Sequence, residues 1–303
     1  MTQGPRSRRR FLQGSAAAVG AAALAGPGQA RQDADGLPQV DKPGRTPNTV
    51  FAVNQEMWFG GPMEQRIAKA AELGFPAVEF WPHDGKDIDA MAKQLEGHGM
   101  TATQFTAWGF GRELNHPDMP ADNFVKAIDK SCEVAARLPG CEMFTVVAGN
   151  NIKGYSKEQM LAATAAKIKQ AVPVLEKHQK MIIVEPMNPY NHGGHCLYGS
   201  KDGIDLCKAV GSEHVKLNWD LFHMQRFEGN LIDNMKKGKD YIGYLQLADS
   251  PARNEPGTGE VNYTKVFQAI KEIGYTLPVG LECSPQGGDV VRAARRIYAA
   301  DSW

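Results

Sequence analysis

From Thr49 onward the chain repeats one pattern: a short apolar run bounded by turn residues, then a stretch with helical spacing of apolar positions. The runs read as strands over residues 49–54, 76–80, 100–106, 142–147, 181–185, 215–220, 242–247 and 278–282. Between them, helices are expected over Met63 to Leu73, Asp122 to Ala136, Lys157 to His178, Gly203 to Val210 and Tyr263 to Ile273. One junction occurs twice, as Glu72-Leu-Gly-Phe-Pro-Ala-Val-Glu79 and Glu272-Ile-Gly-Tyr-Thr-Leu-Pro-Val. Its glycine supplies the left-handed residue that ends a helix, and the aromatic behind it packs back on that helix. The strands are nearly continuous in apolar character, as expected where helices cover the outside of a parallel sheet. Eight such units predict a (β/α)8 TIM barrel, a single domain over 49–303. A doubly wound sheet is the competitor, and no Gly-rich phosphate loop follows any strand to support it.

Four of the runs end in an oxygen-bearing side chain: Glu185, Asp220, Gln246 and Glu282, at intervals of roughly thirty residues, the length of one strand-plus-helix unit. Barrel enzymes carry their chemistry at these C-terminal strand ends. A carboxylate on a buried rim is costly without compensation, and four such groups on consecutive strands can share one divalent cation. Oxygen donors with one amide suit Mg2+ or Mn2+; zinc would favour His or Cys. The alternative is that each is a rim residue paired with a neighbouring Lys or Arg. His223, three residues past Asp220, is a candidate substrate contact.

The N-terminus follows a different logic. Ser7-Arg-Arg-Arg-Phe-Leu-Gln, the Ala-rich run Ser15 to Ala25 and the small residues Gly28-Gln29-Ala30 form, in order, a twin-arginine signal peptide over 1–30. The apolar run is too short and too weakly hydrophobic to span a bilayer, and no Cys near the cleavage site offers a lipid anchor. Residues 31–48, rich in Pro, Gly and charge, read as a linker. A periplasmic location follows as an expectation.

Removing the signal subtracts four Arg and no acid, so 34 less 4 leaves 30 basic against 34 acidic residues, a net of −4. That balance argues against a nucleic-acid partner. The five cysteines (132, 141, 196, 207 and 283) show no C-x-x-C spacing. Twin-arginine substrates cross the membrane folded, so packed free thiols are expected. His192, His195 and Cys196 carry zinc-capable groups, but the intervening Gly193-Gly194 reads more simply as a flexible lid.

Three stretches make the barrel recognisable: Asp220-Leu-Phe-His-Met-Gln-Arg-Phe-Glu-Gly-Asn230, the segment from Gln246 through Arg253-Asn-Glu-Pro-Gly-Thr-Gly-Glu-Val-Asn-Tyr263, and Gly280-Leu-Glu-Cys-Ser-Pro285. On these the chain resembles the hydroxypyruvate isomerase family of the xylose-isomerase-like barrels. The resemblance implies Glu185 and Glu282 as the proton-transferring pair, and Glu185, Asp220, Gln246 and Glu282 as ligands of one Mg2+ or Mn2+. It further implies Arg253 and Glu255 in a substrate-facing loop, and conversion of hydroxypyruvate to tartronate semialdehyde. Trp108, with Trp58 and Phe59, either stacks on substrate or plugs the barrel rim.

The residue types suit that chemistry independently. Shifting a carbonyl along an α-hydroxy carbonyl skeleton removes a proton from one carbon and returns one to its neighbour through an enediolate. Two carboxylates serve as base and acid, and the planar fork of Arg253 suits a substrate carboxylate. The same groups would serve a keto-sugar 3-epimerase or a lyase on an oxidised sugar. A non-catalytic periplasmic carbohydrate-binding barrel would need neither glutamate. The expected partner is a small hydroxy-carbonyl or sugar substrate, with no nucleic acid and no membrane anchor, and a homo-oligomer stays open.

Overall fold

The computed structural model describes residues 32–303. The signal peptide expected over 1–30 lies outside the described residues. At the centre is a closed parallel barrel of β1 (Phe51–Asn54), β2 (Ala77–Phe80), β3 (Thr101–Trp108), β4 (Met143–Val146), β5 (Met181–Val184), β6 (Val215–Asp220), β7 (Ile242–Leu247) and β8 (Val279–Leu281). β1 pairs with β2 on one side and with β8 on the other, which closes the ring. This is the (β/α)8 TIM barrel expected from the apolar pattern, with strand limits within two residues of the sequence reading.

Every residue of β1, β2 and β4 is buried, because side chains facing in fill the barrel and those facing out meet the helices. The helices read from the sequence are present, joined by Ile88–His98 and Val290–Ala300, which start on the capping carboxylates of Asp87 and Asp289. The helix Lys157–His178 starts on a capping box, in which Ser156 and Gln159 satisfy each other's backbone N–H.

The repeated junction behaves as its glycine requires. Gly74 takes φ +88°, its N–H bonds the Ala71 carbonyl, and Phe75 bonds back to Ala70. A Cβ at Gly74 would also stand 2.6 Å from the Lys42 Cβ. Phe75 then packs edge-on against Trp58, with centroids 5.4 Å apart. Trp58 and Phe59 are both buried core residues, which settles the choice between substrate platform and plug in favour of the plug.

The described part of the segment read as a linker, residues 32–48, lies against the barrel. Asp33 pairs with Arg295 at 3.5 Å and Asp35 with Arg292 at 3.1 Å. Asn48 and Thr49 donate backbone N–H groups to Asp301. These partners belong to the last helix or lie just past it, far away in sequence, so composition alone gave no sign of them.

All five cysteines are free and buried, as packed thiols. Burial pushes Cys141 up to about 12 and Cys132 to about 11, which makes both poor nucleophiles. Among the described residues no helix is long and apolar enough to cross a membrane.

Candidate active site

The C-terminal ends of the strands surround a cavity of about 400 Å³. Glu185 follows β5, Asp220 ends β6, Gln246 lies in β7 and Glu282 follows β8, so the parallel register brings all four predicted groups to one rim. Glu185, Gln246 and Glu282 line the cavity, with Arg253 and His223 beside them.

Arg253 sits at the centre of the charge. Its Nη2 donates to Glu282 Oε2 at 2.7 Å and to Asp220 Oδ2 at 3.3 Å, and its guanidinium stacks over the Phe222 ring at 5.0 Å. The loop that carries it is built on Asp249. That single buried carboxylate accepts the backbone N–H groups of Ser250, Gly257, Thr258, Gly259 and Val261 at 2.9–3.2 Å. Arg253 itself holds a left-handed φ of +59°, with its N–H on the Asp249 carbonyl and its own carbonyl accepting from Ser284 N.

The other face of the site is a donor–acceptor pair. Trp81 Nε1 donates to Glu282 Oε1 at 2.9 Å, so both oxygens of Glu282 are engaged. Asp220 Oδ1 accepts from Phe222 N at 2.7 Å, capping the short helix Leu221–Phe227. His223 lies on that helix with Nε2 3.6 Å from Glu185 Oε1 and 3.5 Å from Asp220 Oδ2. Among the described residues, Glu185, Asp220 and His223 are the one group of His, Cys, Asp and Glu side chains close enough to share an ion. His192, His195 and Cys196 do not gather: His195 turns inward, taking the Gly149 N–H on Nε2, and burial lowers it to about 4.

Beneath the rim lies a polar layer that the sequence reading missed. Glu79, on β2, is fully buried and accepts from Gln246 Nε2 at 2.8 Å, Gln104 Nε2 at 3.2 Å and Asn54 Nδ2 at 3.3 Å. Gln246 Oε1 in turn accepts from Asn218 Nδ2. Gly280 opposite leaves the space; a Cβ there would run into the Glu79 carboxylate and Gln246. The available signal was a carboxylate inside an apolar four-residue strand, the same mark that singled out Glu185 and Glu282.

Burial raises these acids. Glu79 is pushed up to about 8, by burial first and then by the charge of Glu282. Asp220 rises to about 7, with burial outweighing the pull of Arg253. Glu185 is held well above the ordinary carboxylate range by burial and by its neighbours Glu282 and Asp220. Burial, and then Arg253, hold His223 well below the ordinary histidine range, so the ring is neutral.

Two predicted substrate contacts lie elsewhere. Glu255 is fully buried away from the cavity, with Oε1 2.6 Å from Arg296 and Oε2 accepting from Gln286 N at 2.8 Å; it holds the loop to the last helix. Trp108 also misses the lining, since its Nε1 donates to the Arg112 carbonyl and its ring packs edge-on against Phe124. The aromatic wall comes from Trp81 and Phe110, and Phe110 stacks on His192 with centroids 4.8 Å apart.

A closed parallel barrel with buried carboxylates and one arginine around a cavity at its C-terminal rim has the form of a TIM-barrel enzyme. The sequence profile of the xylose isomerase-like TIM barrel family matches residues 67–300. The chain is 33% identical over 244 residues to the hydroxypyruvate isomerase of Escherichia coli (strain K12), covering 78% of this chain and 93% of that protein. It is 30% identical over 246 residues to a 2-oxo-tetronate isomerase of Cupriavidus necator, covering 78% and 94%. Among solved structures, one titled AP endonuclease, family 2 from Brucella melitensis superposes with a TM-score of 0.76 at 27% identity, covering 81% of this chain and 96% of that one. The chain belongs to the xylose isomerase-like TIM barrel family and, within it, to the hydroxypyruvate isomerase family, and it is an isomerase.

Proposed function

We propose that this chain is a divalent-metal-dependent isomerase of a small hydroxy-keto acid, converting hydroxypyruvate to tartronate semialdehyde or acting on a close homologue. The observation that carries the reading is the placement of Glu185 and Glu282 on the lining of one cavity, with Arg253 bonded to the second. Its relatives named hydroxypyruvate isomerase and 2-oxo-tetronate isomerase support the substrate class.

The donor set fits a divalent cation. Three carboxylates, Glu185, Asp220 and Glu282, crowd one rim where the Arg253 guanidinium pairs with only Asp220 and Glu282, and burial already raises Glu185 and Asp220. A doubly charged ion would offset the remaining negative charge, and all-oxygen donors suit Mg2+ or Mn2+. Glu185, Asp220, Gln246 and Glu282 would hold it; the Gln246 oxygen keeps one lone pair beyond its bond from Asn218. When bound, the cation would polarise the substrate carbonyl and stabilise the developing enediolate charge.

The chain's own groups do the rest. One of Glu185 and Glu282 takes the proton from the hydroxyl-bearing carbon and the other returns a proton to its neighbour, while the hydroxyl proton passes to the former carbonyl oxygen, so that the hydroxyl becomes the new carbonyl. Trp81 and Arg253 orient the Glu282 carboxylate for that transfer. Arg253 presents its guanidinium to the substrate carboxylate, and Trp81 and Phe110 wall the cavity against water.

A cavity of about 400 Å³ lies within the usual range for small-ligand sites and has room beyond three carbons. This supports, as a second reading, a four-carbon 2-oxo acid alongside hydroxypyruvate. A nuclease reading gains no such support: the described residues gather one donor group, and the chain without its signal is acidic.

The test is incubation of the Mg2+- or Mn2+-loaded protein in D2O with three- and four-carbon hydroxy-keto acids and keto-sugars. Isomerised acid carrying deuterium on the former carbonyl carbon is the expected product. Deuterium returned to the original carbon would instead identify an epimerase, and neither product nor exchange with any of the hydroxy-keto acids would remove the proposed substrate class.

A further inference from the structure

His223 is the one histidine in the donor group, and its role depends on which ring nitrogen carries the proton. The neighbouring loop answers that question through Asn188. Asn188 precedes Pro189, which has no N–H to offer, so the Asn188 side chain folds over the turn and Oδ1 accepts from Tyr190 N and Asn191 N, both at 3.0 Å. Rotating the amide by half a turn would set its NH2 against those two N–H donors. The backbone therefore fixes the amide, and Nδ2 points at His223 Nδ1 at 2.7 Å. An amide nitrogen only donates, so Nδ1 accepts, and the proton of the neutral ring sits on Nε2. Both residues are buried, with Asn188 0% and His223 1% exposed, so water does not supply an alternative partner.

Building on the proposed isomerase reading, we infer that Asn188 is a positioning residue that fixes His223 as an Nε2–H donor to a substrate oxygen and keeps it out of the metal's coordination. A histidine that binds metal through Nε2 carries its proton on Nδ1 and gives it to a carboxylate or carbonyl. Here the group facing Nδ1 is a donor, the reverse arrangement. The Nε2–H points towards Glu185 and Asp220 at 3.6 and 3.5 Å, longer than an ordinary hydrogen bond, and so remains available at the edge of the cavity. A neutral donor at that point stabilises negative charge on a substrate oxygen without adding a proton to the relay between Glu185 and Glu282. His223 then contacts substrate, and Asn188 acts through it.

The experiment is long-range 1H–15N correlation of 15N-histidine-labelled full-length protein, with and without Mg2+, with His223 assigned by the loss of its signals in H223Q. The expected spectrum shows Nε2 protonated and Nδ1 unprotonated in both samples. In Asn188→Asp the carboxylate still accepts from Tyr190 and Asn191 but now also accepts from the ring, so the proton should move to Nδ1. With the donor turned away, kcat should fall roughly 10²-fold, the scale of losing one preorganised donor, with less change in KM. A wild-type spectrum with Nδ1 protonated, a loss of the Nε2–H signal on adding Mg2+, or an unchanged tautomer in N188D would each overturn the assignment. Should N188D fail to fold, the wild-type spectra decide alone. Because the spectra need no substrate, the expected tautomer in a protein that isomerises nothing would uphold the role of Asn188 while removing the isomerase reading.

Discussion

Trp81 Nε1 donates to Glu282 Oε1 at 2.9 Å, joining the end of β2 to the end of β8 across β1. The indole is 40% exposed at the mouth of the cavity, so the same side chain orients a carboxylate and forms part of the wall. Trp81→Phe keeps the wall and removes the donor. The expected result is a fall in kcat of about tenfold, the scale of one hydrogen bond to a charged group, with KM and the melting temperature little changed. Equal kcat in W81F and parent would show that Arg253 alone positions Glu282.

The sequence leaves Trp58, Phe59 and Trp108 open between substrate platform and rim plug, with Trp108 the candidate contact, and the reason the cavity instead takes Trp81 is local. β3 runs to Trp108 itself, so that indole folds over the strand end onto Arg112 and Phe124. The strand β2 ends one residue before Trp81, leaving its ring at the cavity. Strand ends carrying Glu185, Asp220, Gln246 and Glu282 were legible because a polar group closing an apolar run contrasts with its surroundings. Glu79 carries the same contrast, but its partners Gln104, Asn54 and Gln246 lie on other strands, and only the fold brings them together. The family resemblance implies Glu255 in the substrate loop together with Arg253, and only the structure shows Arg296, 41 positions on, holding it.

The two glutamates separate an enzyme from a binding shell. Glu→Gln at position 185 or 282 keeps size and one oxygen but removes the base. Turnover should fall by roughly 10²–10⁴-fold, while substrate affinity weakens far less. Solvent deuterium should enter product made by the parent and be nearly absent with either variant. Near-parent turnover in E185Q or E282Q would refute a two-glutamate relay.

Export is testable on the precursor. We propose periplasmic delivery by the twin-arginine route on the strength of Arg8-Arg9 beside Phe11-Leu12. Replacing both arginines by Lys should leave the precursor in the cytoplasm, seen by fractionation and by the uncleaved mass. Unchanged delivery of the double variant would show that another signal directs the chain.

The buried acids make the metal-free protein sensitive to alkali. Folding raises Glu79 to about 8 and Asp220 to about 7, above their ordinary range near 4. The fold therefore binds protons that the unfolded chain has released, so the stabilisation is complete below about pH 4 and is lost as pH rises through about 7 to 8. In the presence of a chelator the melting temperature should fall between about pH 5 and about pH 8.5, and Mg2+ should restore most of the loss at the upper end. Glu79→Gln removes one of these groups and should flatten the slope. A melting temperature that rises over this window without metal would contradict the buried, protonated state of these carboxyls.

Asp249 gives the sharpest separation between loop architecture and chemistry. It touches neither the cavity nor the predicted ligands, yet its carboxylate gathers five backbone N–H groups of the segment that carries Arg253. Asp249→Ala leaves those donors without an acceptor in a buried site, at a cost of roughly 3 kcal/mol, and frees Arg253 from its left-handed conformation. The guanidinium would then leave Glu282 and Asp220 for part of the time, so KM for a carboxylate substrate should rise more than kcat falls. Asp249→Asn keeps one acceptor oxygen but sets an NH2 among N–H donors, and should fall between parent and Ala in both stability and KM. If D249A melts several degrees lower while KM stays at the parent value, the loop positions Arg253 by some other contact, with Glu255 and its ion pair to Arg296 the next to remove.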